Sequence, residues 1–305
     1  MKKIAFCQLI AFTVLFMTTS LLVAQSSSPS ETNHQVTLER TEIRTLHSEI
    51  IDQDYELFIS LPSSYHSGEK HYPLIIGLDA YTGFLHAKGC IDAYTYLAPL
   101  MPEVILVGIG YGGTGYMEFA RWIAGRTRDF TPVRKPSIEE YYKGFIVQKG
   151  FNQLEVHTGG AAQFLSFLNS ELLPFLLKEY RIESDNKALF GASFGGLFTL
   201  YALFNSSDSF NKYFIESPSI NYSDGAIYKD EARYAASHSD LSAEIFICAG
   251  GQEKNLIDNI NTLDSLLRTR KYQNLHIEKV FFEGENHISC APAAISRGLI
   301  ELYNN

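Results

Sequence analysis

Apolar and polar residues alternate in two early stretches, Val36 to Ile51 and Tyr55 to Leu61, with Asp52-Gln53-Asp54 between them. A period of two with a polar turn predicts two antiparallel strands, each with one covered face. The pattern then changes. Pro73 to Leu78 and Val104 to Val107 are short continuous apolar runs, as expected of strands covered on both faces of a parallel sheet. Cys90 to Leu100, lying between them, suits a helix. Residues 110–153 carry many glycines and aromatics, Pro132 and Pro136, and little periodicity. They predict a long irregular excursion, which in a compact domain is usually functional. Beyond it, Ala161 to Glu179 shows three-to-four spacing and predicts a helix. Strands follow at Ala188–Phe190, Tyr213–Ile215, Ile245–Cys248 and His276–Phe282, and helices at Gly196–Phe204, Asn255–Arg268 and Ala291–Tyr303. Alternating strands and helices mean an α/β fold with a mostly parallel sheet. No internal repeat or dividing linker interrupts residues 37–305, which read as one domain.

The N-terminus stands apart from this pattern. Lys2 and Lys3 precede a largely apolar stretch from Ile4 to Val23, and Ala24 is followed by Gln25-Ser26-Ser27-Ser28-Pro29-Ser30. Residues 1–24 read as a secretory leader cleaved after Ala24, and residues 25–36 as a flexible lead-in. A retained anchor is the competing reading, since the apolar stretch is nearly long enough to span a bilayer. The expected location is secreted or periplasmic, with no stable membrane insertion after cleavage. Cys90, Cys248 and Cys290 remain in the mature chain. Three cysteines permit at most one internal bridge, and their spacing does not say which. No Cys/His spacing suggests zinc, and there is no His-Glu-x-x-His.

With 46% hydrophobic and 19% charged residues, disorder and collagen-like structure are excluded. The formal charge is −9, and losing Lys2 and Lys3 makes the mature chain more acidic still. Such a chain lacks the basic footprint of a nucleic-acid binder.

Against that background one motif carries chemistry. Gly191-Ala192-Ser193-Phe194-Gly195 fits Gly-x-Ser-x-Gly and falls between a predicted strand and a predicted helix. A serine oxygen is a poor nucleophile, and it must stand exposed on a tight turn that glycines permit. The helix beginning there aims free N–H groups at developing negative charge. The order serine, acid, histidine is the one this arrangement requires. His287, in Glu283-Gly284-Glu285-Asn286-His287, follows the last strand and can return an imidazole to the sheet's carboxyl edge; it is the candidate base. His276 starts a strand, and His238 lies well before the last strand. For the acid, Glu253 is the first carboxylate after the strand Ile245–Cys248, and Asp258 is the second, at a position that suits a solvated helix face. Glu253 is preferred, with a Ser-His dyad as the alternative. The oxyanion donors are the N–H of Phe194, next after the nucleophile, and that of Tyr81, in the loop after an early strand.

These residues resemble the esterase D-like "putative esterase" family of α/β-hydrolases, which includes enterochelin (catecholate siderophore) esterases, S-formylglutathione hydrolases, feruloyl esterases and mycolyltransferases. The siderophore-esterase branch is the most similar. The likeness runs through Leu78-Asp79, Val107-Gly108-Ile109, Arg128-Asp129-Phe130-Thr131-Pro132, Gly159-Gly160-Ala161, Gly191 to Leu197, Ser217-Pro218-Ser219 and Asn286-His287. It implies the α/β-hydrolase fold, with helices on both faces of the sheet. It also implies Ser193 as nucleophile, His287 as base, and Tyr81 and Phe194 as oxyanion donors. Some relatives work as a dyad, which keeps Glu253 open. Ala80 departs from the glycine usual after Leu-Asp, so the oxyanion loop, and Tyr81 with it, can sit differently.

Other signals compete. Gly108-Ile109-Gly110-Tyr111-Gly112-Gly113 fits a dinucleotide fingerprint, but this demands a following helix and strand that the pattern does not predict. Arg121, Arg126, Arg128, Arg134 and Lys135 cluster in an acidic chain. Each is ordinarily a solvated or ion-paired side chain. As a group they suggest an anionic substrate, with Arg126 and Arg128 as the candidate contacts. Trp122, Tyr111, Tyr116, Phe119 and Phe130 are candidate lining for an aromatic pocket, although such residues more often simply pack. The expected activity is hydrolysis of a small carboxylic ester, anionic or aromatic and of siderophore type, through an acyl-serine, with neither metal nor organic cofactor. Acyl transfer, or hydrolysis of carbohydrate or feruloyl esters, is the alternative on the same machinery. A non-catalytic binding protein is a third reading, opposed by the intact Ser193 and His287.

Overall fold

The structure is a computed structural model that describes residues 37–113 and 115–303. The leader and the lead-in to residue 36 lie outside the described residues. Residues 39–305 form one unit. The chain starts with β1 (Thr41–Ser48) and β2 (Gln53–Ser60), which pair antiparallel. Asp52, at φ 56°, makes the turn between them. Then come β3 (Tyr72–Gly77), α1 (Ala80–Tyr96), β4 (Ile105–Gly110), α2 (Gly115–Asp129) and α3 (Pro136–Val147). They are followed by α4 (Ala161–Phe167), α5 (Leu173–Glu179), β5 (Ile182–Ala192), α6 (Phe194–Asn205) and β6 (Lys212–Glu216). The chain finishes with α7 (Ile227–Ser237), β7 (Ala243–Gly250), α8 (Lys254–Arg270), β8 (Leu275–Phe282) and α9 (Ala291–Tyr303).

The strand order is β1-β2-β4-β3-β5-β6-β7-β8, antiparallel through β4 and parallel from β4 onward. This is the α/β-hydrolase fold. Alternate strand residues feed two cores, as the two-residue period requires. Leu74, Ile76, Val107, Tyr213, Ile215 and Ile247 pack with Phe164, Leu176, Phe198, Ile227 and Leu263 from α4 to α8. Ile75, Leu106, Phe190, Phe214 and Phe246 pack with Phe84 and Ile91 of α1 and Ile295 and Leu299 of α9. The predicted strands and the helix at 291–303 are all present. The helix predicted over 161–179 is α4 and α5 joined by one π turn at Leu168–Leu172. Pro174 lies in the first turn of α5 and has no N–H to continue the α ladder.

Three expectations are corrected. Residues 110–153 are not irregular, since most belong to α2 and α3. These helices carry a small core of their own, Ala120, Ile123, Ile146 and Val156. On α2, Ile123 faces this core while Trp122 and Arg126 reach the turn before α1. The glycines at 112, 113 and 115 and the prolines at 132 and 136 read as loop punctuation on either side of α2 and so hide the two helices. Second, α1 starts ten residues before the expected Cys90, because Gly83 and Gly89 weaken the helical signal without ending the helix. Third, a helix does follow the glycines of 108–113. However, the next strand, β5, pairs with β3 rather than β4, so no dinucleotide-binding βαβ unit forms there. A Cβ at Gly108 would lie 2.9 Å from the Ala80 Cβ, and one at Gly110 would meet the Tyr81 ring at 3.1 Å. These glycines make room for α1.

Candidate active site

Ser193 sits between β5 and α6 at φ 59°, ψ −115°. A non-glycine residue held there stores about 1–3 kcal/mol of strain, which the surroundings must impose. They do so through close approach. The Ser193 N–H donates to the Glu216 carbonyl (2.9 Å), and its carbonyl accepts from the Ser219 N–H (3.1 Å). Gly191 faces the Gly195 backbone and the Thr199 hydroxyl, and a Cβ there would come within 2.7 Å of Thr199 Oγ1. A Cβ at Gly196 would be 2.9 Å from the Glu216 carbonyl. The glycines thus let β5, α6 and the end of β6 meet around one raised serine.

Glu253 follows β7, as its position after Ile245–Cys248 predicts. Its Oε1 accepts from His287 Nδ1 at 2.6 Å. Its Oε2 accepts from the Ser217 hydroxyl at 2.6 Å and from the Gly250 N–H at 2.9 Å. The carboxylate is largely buried, with 12% side-chain exposure against 43% for His287. The dyad alternative is therefore not needed to account for His287, whose Nδ1 has a carboxylate partner. Among the described residues the ring's Nε2 makes no protein hydrogen bond, to Ser193 Oγ or to any other group. The histidine loop crosses back over the strand ends. Gly250 at the end of β7 lies against the carbonyls of Glu285 and Asn286, and Cys290 reaches Glu216 at the end of β6 (3.6 Å). Loop 285–290 thereby spans from β8 across the end of β7 to the end of β6, the strand that pairs with β5. Asp258 lies in α8, and its place in the pair is taken by Glu253.

Phe194 is the first residue of α6 and Tyr81 the second of α1, where helical N–H groups have no intrahelical acceptor. The two turns are in contact. A Cβ at Gly195 would lie 3.3 Å from Asp79 Oδ2 and 3.6 Å from the Leu78 Cβ. Asp79, at φ 59°, accepts from Trp122 Nε1 (2.6 Å), Arg126 Nε (2.8 Å) and Arg126 Nη2 (3.1 Å). Arg126 Nη2 also approaches the Ala192 carbonyl at 3.4 Å. One guanidinium therefore ties α2 to both turns. Ala80 is accommodated by Gly108. The Tyr81 side chain is anchored away from Ser193: its hydroxyl accepts from the Gly112 N–H (2.8 Å) and faces Glu56. Burial, followed by the charge of Glu56, pushes that hydroxyl up to about 12.

The expectation that Arg126 and Arg128 offer free charge to an anion is corrected. Arg126 is buried on Asp79. Arg128 is bonded to Asp129 (2.6 Å) and to the Tyr55 hydroxyl (3.2 Å). It lines a separate cavity of about 610 Å³ between the β1–β2 hairpin and α2, whose walls hold no Ser193, Glu253 or His287. Of the cation cluster, Arg126 lies nearest the serine but is committed to Asp79, with its guanidinium also over the Phe194 ring (5.6 Å). Lys135 Nζ lies over the Tyr222 ring, which meets Phe194 edge-on at 5.6 Å. Arg134 is 72% exposed while paired with Glu139. Tyr142 of α3 also meets Phe194, at 6.0 Å. The rings in contact with Phe194 are thus Tyr142 and Tyr222. Tyr111 and Phe130 are buried in the main core, and Trp122 and Phe119 pack at the α2–α3 core. The side chain of Tyr116 lies outside the described residues. Asp79 and Ser217, which the sequence marks only as parts of the family resemblance, also belong to the site. The spacing of Trp122 and Arg126, four apart, could have pointed to a common acceptor had 115–129 been read as helix. Cys90, Cys248 and Cys290 are all free thiols.

Comparison with known proteins agrees with this architecture. The chain is 30% identical over 282 residues to the ferri-bacillibactin esterase BesA of Bacillus subtilis, covering 88% of this chain and 91% of that one. It is 29% identical over 284 residues to a siderophore enterobactin esterase of Emericella nidulans, covering 83% and 90%. The crystal structure of the BES protein from Bacillus cereus superposes with a TM-score of 0.73 at 26% identity, covering 90% of this chain and 98% of that one. No helix among the described residues is long and apolar enough to cross a membrane. Residues 48–289 match the family model described as "Putative esterase", and the chain belongs to that family.

Proposed function

We propose that the protein is an exported serine esterase that cleaves siderophore-type esters through an acyl-Ser193 intermediate. The observation that carries this reading is the Glu253–His287 hydrogen bond of 2.6 Å on the sheet edge that also holds the strained Ser193. In acylation His287 Nε2 takes the Ser193 proton as Oγ attacks the ester carbonyl. Glu253 keeps the other ring nitrogen protonated and balances the charge that the imidazole acquires. The carbonyl oxygen becomes an oxyanion opposite the N–H groups of Phe194 and Tyr81, one such donor being worth about 3 kcal/mol of barrier. Collapse passes the proton from His287 to the departing alcohol. Water then gives a proton to His287 and attacks the acyl-serine, and the second collapse returns that proton to Ser193 and frees the acid. Tyr142 and Tyr222 beside Phe194 suit an aromatic acyl or alkoxy group, and Lys135 suits an anionic one. The names of the curated relatives point in the same direction. Residues 1–24 supply the export signal.

The test is pre-steady-state release of p-nitrophenol from a short-chain ester. A burst of one equivalent per chain is expected, with Ser193→Ala lowering turnover about 10⁴-fold or more. Equal turnover by the two proteins would refute the reading. A kcat/KM panel of a catecholate trilactone, a feruloyl ester and an acetylated sugar should rank the trilactone first. Ester products formed with an added alcohol would assign the chain to acyl transfer instead.

A further inference from the structure

The proposed reaction leaves unused a buried acid that, unlike Asp129, Asp230, Glu231 and Asp264, has no cation partner among the described residues. Glu216 ends β6 and is 2% exposed. Its carbonyl takes the Ser193 N–H, which places its backbone directly beneath the serine. Its side chain points to the α9 side of the sheet, as the alternation with Ile215 requires. There its Oε1 faces the Cys290 thiol at 3.6 Å. No lysine, arginine or histidine among the described residues forms an ion pair with it. Cys290, itself fully buried, also touches the Ser217 hydroxyl (3.7 Å) and the carbonyl of His287 (3.9 Å). Ser217 donates to Glu253 at 2.6 Å, and Glu253 accepts from His287. Five side chains thus run in contact from a buried carboxyl to the candidate base.

The backbone supports the same arrangement. Ser217 is held at φ 40°, a conformation costing about 1–3 kcal/mol unless surrounding contacts impose it. Its N–H donates to the Cys248 carbonyl (2.8 Å), and the Cys290 N–H donates to the Asn286 carbonyl (3.1 Å). The first bond ties the tip of β6 to β7 and the second closes the His287 loop on itself; the loop is tethered to the β7 end by the Gln252 N–H, which donates to the Glu285 carbonyl (2.9 Å), and to β6 by Cys290 on Glu216.

We propose that Glu216 is a positioning residue of this centre: through the Cys290 thiol and the Ser217 hydroxyl it fixes the Glu253 carboxylate and the loop that presents His287. The proposal rests on the serine-esterase reading for its kinetic consequence but not for its geometry. The titratable groups that face Glu216 are Cys290 at the start of α9, Cys248 on β7, Glu253 after β7 and Asp79 before α1. Burial first, with Glu253 and Asp79 adding repulsion, pushes its carboxyl up to about 7. Burial and the neighbouring Glu216 likewise push the Cys290 thiol up to about 11. Both groups therefore carry their protons at mildly acidic pH, and the thiol and carboxyl contact each other as neutral partners.

The experiment compares Glu216→Leu with Glu216→Gln. At pH about 6 the leucine variant should lose about ten- to hundredfold in kcat with KM within about twofold, because a small displacement of the base costs that much. Glutamine keeps the size and polarity, and should restore kcat to within about threefold of the parent, as expected where only position matters. A second readout does not need turnover. In the Ser193→Ala background, the His287 Nδ1–H proton resonance should move in Glu216→Leu and stay in place in Glu216→Gln. Unchanged kcat together with an unmoved resonance in the leucine variant would overturn the proposal. If that variant does not fold, Cys290→Ala against Cys290→Ser makes the same comparison, with serine expected to rescue. Should Ser193→Ala turn over ester like the parent, the esterase reading fails, and the proton resonance still decides the positioning role.

Discussion

Two neighbouring regions around Ser193 are built on different principles. The turns at the sheet's carboxyl edge are set by backbone sterics. Glycines at 191 and 196 leave no room for a Cβ, and Asp79, Ser193 and Ser217 sit at positive φ. The α2–α3 cap is set by packing, with four buried apolar residues at its centre. The edge has little freedom and its shape follows residue by residue from local chemistry. The cap takes its shape from what it covers. Among the described residues the ion pair that joins the two is Arg126 on Asp79.

That contact is where the comparison can be broken most forcefully. Arg126→Met would leave Asp79 buried without its cation, their side chains being 8% and 7% exposed. A loss of about 3–5 kcal/mol in urea unfolding is expected, along with a fall in ester kcat larger than any rise in KM. Unaltered stability would mean that Trp122 alone satisfies Asp79. A smaller effect comes from Glu216→Gln. The folded carboxyl of Glu216 sits at about 7, above its ordinary 4.5, so its contribution to stability is complete below 4.5 and is lost as pH rises through 7. Unfolding free energies of parent and variant in urea should therefore separate progressively between pH 4.5 and 7, in favour of glutamine, by at most about 3 kcal/mol. A constant offset across that range would contradict the assignment. The mildest probe is Ile123→Val in the cap core, costing about 1 kcal/mol. Hydrogen exchange should quicken in α2 and α3 while the strands keep their protection. Loss of protection in β5 or β6 would show that the cap and the sheet edge unfold as one.

The contrast also explains what could be read from the sequence. Ser193 was legible because Gly-x-Ser-x-Gly between a strand and a helix has few structural solutions. His287 and Glu253 followed from chain order, each being the first suitable group after its strand. The apolar runs of β3, β4, β6 and β7 were legible because both of their faces are covered. The cap was not, since the glycines at 112, 113, 115 and 125 and the prolines at 132 and 136 read as loop punctuation around two helices. The assignment of Arg126 failed for a different reason: its partner, Asp79, lies 47 residues away, and no local pattern reports an ion pair over that separation. Ser217, Glu216 and Cys290 become neighbours only once β6, β7 and the α9 start are side by side.

The fit of Ala80 against Gly108 constrains how this chain can change. Since a methyl at 108 would fall 2.9 Å from the methyl already at 80 and 3.2 Å from the Phe84 ring, the two sites share one methyl's worth of space. Shortening position 80 to glycine is sterically open at any time. Enlarging position 108 becomes open only afterwards, and only if Phe84 also yields. Mutational paths through this pair are therefore ordered, and libraries that randomise one position alone will find position 108 nearly invariant.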